Sequence, residues 1–99
     1  MAQLILRYWR DMPAMVTVKK GRKQAKRALP ERFEQAIDAA AMKSGADKTD
    51  DYLEGFHTKA PLEVSDDLEE EAQKALLEIE AQYDPERLRA LIANGGYQP

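Results

Sequence analysis

The 99-residue sequence contains no cysteine, one histidine, one tryptophan and only two serines, Ser44 and Ser65. Without cysteine there are no disulfides, thiolate nucleophiles, iron–sulfur clusters or cysteine-ligated zinc. The absence suits a reducing compartment. The longest apolar run near the N-terminus, Leu4-Ile5-Leu6, stops at Arg7 and is followed by no small-residue cleavage site. It is too short for an export signal or a membrane span. A soluble, cytoplasmic protein is therefore the expectation, with no membrane partner. The lone base, His57, falls between apparent elements with no sequence-near partner, so nucleophilic catalysis is disfavoured. No catalytic, cofactor-binding or metal-ligating residue is assigned. Asp47-Lys48-Thr49-Asp50-Asp51 lacks the alternating ligands and central glycine of a calcium loop. The carboxylates Asp66, Asp67, Glu70 and Glu71 read as a dipole-favoured helix start. No glycine-rich phosphate loop exists.

What the sequence has is charge, unevenly placed. Residues 1–32 hold nine Lys/Arg against Asp11 and Glu31, a local charge of +7; residues 33–99 come to −10. Six of the nine residues from Lys19 to Arg27 are basic. Val16 and Val18 lead into this stretch in alternation, and Gly21 marks a reversal. The pattern reads as a β-hairpin with a cationic tip.

Taken in order, residues 3–10, 14–20 and 23–29 read as three strands of an antiparallel meander. Leu4, Leu6 and Tyr8 share one face of the first, and Ile5, Arg7 and Trp9 the other. Asp11-Met12-Pro13 marks the first turn. A two-residue loop, Lys20-Gly21 or Gly21-Arg22, places Val16, Val18, Ala25 and Leu29 on one face and turns Lys19, Gln24 and Lys26 to the other. Three or four helices follow, over about 30–44, 49–56, 65–83 and 85–93. The first opens on Pro30 and closes at Ser44-Gly45. The second is capped by Thr49 and buries Tyr52, Leu53 and Phe56. The third, capped by Ser65 or Asp66, carries the stripe Leu68, Ala72, Ala75, Leu76, Ile79. Asp84-Pro85 starts the fourth. Residues 57–64 are expected to be a connector broken by Pro61. The class is α+β, a single domain over 1–94 with a loose tail at 95–99.

Three readings compete for the basic hairpin. It is a solvated turn, or one leaning on the domain's own carboxylates; it docks on an acidic protein; or it follows nucleic-acid phosphates. No aromatic residue is interleaved with the cations, and an isoelectric point near 5.2 opposes bulk phosphate binding. The preferred function is a non-enzymatic accessory domain. It presents Arg7, Trp9, Arg10, Lys19, Lys20, Arg22, Lys23, Lys26 and Arg27 to a larger acidic partner, with Trp9 as the aromatic anchor. Nucleic-acid binding through the same hairpin is the alternative, and a small enzyme comes last.

Tyr8-Trp9-Arg10-Asp11-Met12-Pro13-Ala14, the basic hairpin Val16–Lys23, Glu31–Asp38, Ala40-Ala41-Met42 and Asp50–Leu53 together resemble a small bacterial family labelled "virulence factor". The resemblance covers roughly residues 4–57. It implies no reaction. Through members encoded near folate- and corrinoid-dependent methyl-transfer enzymes, it implies an accessory role in one-carbon (methionine) metabolism.

Overall fold

The computed structural model describes residues 1–46 and 48–99, apart from the side chain of Thr49. Its elements are β1 (Ala2–Trp9), β2 (Met12–Lys20), β3 (Lys23–Ala28), α1 (Glu31–Ser44), α2 (Thr49–Glu54), β4 (Phe56–Thr58), β5 (Leu62–Val64), α3 (Leu68–Gln82) and α4 (Pro85–Ala93). The architecture is α+β. One antiparallel sheet has the order β3-β2-β1-β4, and β5 also pairs with β1.

Strands 1–3 form the meander. The second hairpin uses the two-residue loop Gly21-Arg22, with Lys20 opposite Lys23 and Val18 opposite Ala25. Gly21 takes a φ of 60°, where glycine carries no steric cost. The first turn lies two residues earlier than proline suggests. Trp9 pairs with Met12, so Arg10 and Asp11 form the loop, and Arg10 itself takes a φ of 54°. Pro13 falls inside β2. It is tolerated because β3 ends opposite Met15, leaving Pro13 without a β3 neighbour, and because the β1–β2 register shifts there in a bulge.

The segment expected to be a connector supplies two short strands. β4 pairs with Arg7–Trp9 and β5 with Ala2–Leu4, covering the outer edge of β1 that a three-stranded meander leaves open. Phe56 therefore leaves α2, which stops at Glu54. Leu53, expected on the buried face of that helix, is 58% exposed, whereas Tyr52 and Phe56 are half-buried. Lys48 occupies the N-cap position of α2; the expected Thr49 side-chain cap lies outside the described residues. Asp67, rather than Ser65 or Asp66, caps α3 by accepting the Glu70 N–H at 3.2 Å. Asp84 caps α4 by accepting the Arg87 N–H at 2.8 Å, with Pro85 at the first helical position. Gly45 ends α1 in the left-handed conformation.

α3 lays Ala72, Ala75 and Ile79 over the sheet face that holds Val16, Val18 and Ala25, all of them buried. At one end of the sheet, α1 packs on α4, joining Phe33, Ile37, Leu88 and Leu91 in the same core. Leu29, expected beside the valines, lies past the end of β3 and lines a cavity on the other side. The segment after α4 is held in place. Gly96 accepts the Asp11 N–H at 2.9 Å, and Asp11 Oδ2 accepts the Gln98 N–H at 2.7 Å.

Candidate interaction surface

Strand alternation sorts the basic residues onto two faces. Lys20 and Arg27 share the Val16/Val18 face and meet α3. The Lys20 ammonium donates to Asp66 Oδ2 at 2.7 Å, and Arg27 forms an ion pair with Glu69 while reaching Gln73. The Asp66 carboxyl is held below the ordinary aspartate value, chiefly by its hydrogen bond from Lys20. These cations are neutralised by the chain's own carboxylates, Asp66 just before α3 and Glu69 in its first turn.

The opposite face has no helix laid across it. Three cross-strand rows are readable there: Gln3–Lys19–Gln24, Ile5–Thr17–Lys26 and Arg7–Met15–Ala28. Ile5, Met15 and Thr17 are half-buried, and Arg7, Lys19 and Lys26 are exposed. Among the described residues, the ion pairs involve the Met1 ammonium, Lys20 and Arg27, and none of these three. The face runs into a cavity of about 350 Å³ under α1 and α2, lined by Met15, Leu29, Phe33, Ile37 and Phe56, with Arg7 and Glu34 also in its wall. The Arg7 guanidinium stacks over Phe56 at 4.9 Å. At the hairpin tip, Arg22 and Lys23 are exposed.

Trp9 and Arg10 belong elsewhere, which corrects the expectation that they are displayed. Trp9 is 0% exposed; its indole N–H donates to the Tyr52 carbonyl at 2.7 Å, and its ring lies against Gly55 and Gly96. The end of α2, Gly55 and the segment after α4 close over it. The Arg10 guanidinium is sandwiched between Trp9 and Tyr97 at 4.6 and 4.8 Å. It donates to the Gly95 carbonyl at 2.5 Å and to Ser44 Oγ at 3.0 Å. Arg10 thus ties the chain's C-terminal segment to α1 and the first turn.

The residues missed on the open face, Ile5, Met15 and Thr17, were readable as the alternates of Leu4, Leu6, Val16 and Val18. The lining of the cavity was not, because it needs the placement of α1 and α2. His57 Nε2 lies 2.5 Å from the Arg10 carbonyl oxygen, which requires the proton on Nε2. No group of three or more His, Asp or Glu side chains is placed to hold a metal ion among the described residues. No helix there is long and apolar enough to cross a membrane.

A family model described as "Virulence factor" matches residues 7–92, most of the chain. The chain belongs to this virulence factor family. The family match extends past the 4–57 region of sequence resemblance to take in α3 and nearly all of α4. Asp66 and Glu69, which neutralise Lys20 and Arg27, therefore lie within the matched virulence factor region. No curated protein and no solved structure matches the chain.

Proposed function

We propose that the protein is a non-catalytic accessory domain. It docks the uncovered face of its sheet, with the hairpin tip, onto an acidic surface of a larger protein. The supporting observation is the division of the cations. Asp66, just before α3, and Glu69 in its first turn neutralise Lys20 and Arg27, while Arg7, Lys19 and Lys26 stand on an open face around half-buried Ile5 and Met15. Charge sets encounter and orientation, and the apolar centre supplies holding energy. Bacterial folate- and corrinoid-dependent methyl-transfer enzymes are the first partners to test, on the strength of the family resemblance. A phosphate-tracking role is less favoured because Phe56, the aromatic ring beside this face, is half-buried beneath Arg7.

The test is binding of the chain to such a purified enzyme, compared with the double variants Lys19→Glu/Lys26→Glu and Lys20→Glu/Arg27→Glu. Docking through the open face requires the first pair to abolish binding and the second to preserve it in the folded protein. Equal loss in both, or binding of RNA or DNA that weakens steeply with salt in place of a protein, overturns the reading.

A further inference from the structure

A different cluster lies on the α3 side of β1. Tyr8 and Tyr83 are 6% and 7% exposed. Lys59 sets its ammonium 4.2 Å from the Tyr8 ring centre, and Arg87 sets its guanidinium 4.0 Å from that of Tyr83. The His57 ring stacks with that of Tyr8, centre to centre 5.9 Å.

These groups converge. Burial pushes both phenols up, each hydroxyl bears on the other's ionisation, Arg87 acts on both, and Lys59 acts on Tyr83. The charged side chains that act on this phenol pair, Arg87 and Lys59, are both cations, and the remaining influence is that of each phenol on the other. Asp84, beside Tyr83, is occupied in capping α4. Neither Lys59 nor Arg87 forms an ion pair among the described residues. Cation–π stacking accounts for each cation singly, and Arg87 also donates to the Gln82 carbonyl at 3.1 Å. It does not account for two cation-covered phenols lying side by side with no ion pair to either cation among the described residues.

Lys59 also borders an apolar cavity of about 380 Å³ lined by Leu4, Leu6, Ala60 and Leu62. The Lys59 N–H donates to the Leu6 carbonyl at 3.1 Å, which fixes the root of the ammonium stem beside that cavity. The volume is at the small end for ligand pockets. We propose that the two features form one binding site for an amphiphilic oxyanion. Its apolar body lies between Leu4, Leu6 and Leu62. Its carboxylate or phosphate head is held by Lys59 and Arg87 and accepts a hydrogen bond from the Tyr8 hydroxyl.

The experiment is an NMR titration of the isotopically labelled chain with hexanoate, hexyl phosphate, inorganic phosphate and hexanol. Hexanoate or hexyl phosphate is expected to move the signals of Leu6, Tyr8, Lys59 and Tyr83. Inorganic phosphate and hexanol are expected to bind about tenfold more weakly or worse, since each offers half of the recognition. Lys59→Met and Arg87→Met each weaken the anion about tenfold, whereas Lys59→Arg retains it. The Lys19→Glu/Lys26→Glu variant binds as the wild type does, so this site stands or falls separately from the docking face. Absence of binding by both amphiphilic anions at millimolar concentration, equal binding of hexanol, or indifference to Lys59→Met in the folded chain overturns the proposal.

Discussion

Gly55 lies so close to Trp9 that a Cβ built on the glycine would stand 2.4 Å from the indole nitrogen. The indole cannot retreat, because the same nitrogen donates to the Tyr52 carbonyl and the ring is fully buried. Gly55→Ala is therefore expected to destabilise the fold by about 1–3 kcal/mol, the usual cost of forcing extra volume into a packed core. Urea unfolding measures it. A neutral result would mean that the α2–β4 junction yields freely.

Burial of Trp9 makes a second, spectroscopic prediction. The one tryptophan should be shielded from iodide in the native chain and become accessible only on unfolding. Truncation by Trp9→Ala should cost about 3–5 kcal/mol. Rapid iodide quenching of the folded protein would place Trp9 on the surface and restore it as a docking anchor.

The two groups of cations should separate in stability measurements. Lys19→Ala and Lys26→Ala remove exposed charges with no ion pair and should change stability by less than about 0.5 kcal/mol. Arg27→Ala also strips a half-buried stem from the sheet beneath α3, in addition to the Glu69 pair. It is expected to be the most costly of the three by denaturant midpoint.

Acid dependence follows from Lys20 and Asp66. The Asp66 value is depressed in the folded state by the hydrogen bond from Lys20, so its stabilisation is present above about pH 4 and lost as pH falls through the folded-state value. Carboxyl NMR titration should find Asp66 below the ordinary aspartate value, and Lys20→Met should raise it. High salt should reduce the effect, because both groups are exposed.

At the alkaline end the sign reverses. Burial raises Tyr8 and Tyr83, so their contribution holds below the ordinary phenol value near pH 10 and disappears as pH rises through the folded-state values. Tyr83→Phe should flatten the alkaline loss of stability, read by thermal melts across that range. An unchanged profile would locate the alkaline sensitivity elsewhere.

Local pattern in the sequence was enough for the meander, a two-residue loop at Gly21 and the helices, and the strand register then chose Gly21-Arg22 over Lys20-Gly21. Period-2 alternation around Val16 and Val18, the Gly45 stop and the Asp84-Pro85 start are each decided within a few residues. Alternation also turned Lys19 and Lys26 away from the valines. What it left undecided was which sheet face receives the acidic helix. That depends on α3 returning across β2 and β3, and it separates neutralised Lys20 and Arg27 from exposed Lys19 and Lys26. The fate of Trp9 and Arg10 was equally out of reach of local pattern, because their partners Tyr52, Gly55, Gly95 and Tyr97 are more than 40 residues away along the chain. So were β4 and β5: three-residue strands carry almost no signal of their own and exist because β1 offers an unpaired edge. Sequence alone determined the meander, the helices and the total charge, since periodicity and capping are local and charge is a sum over residues. Tertiary structure decided which charges remain available, since an ion pair across the fold depends on distance in space.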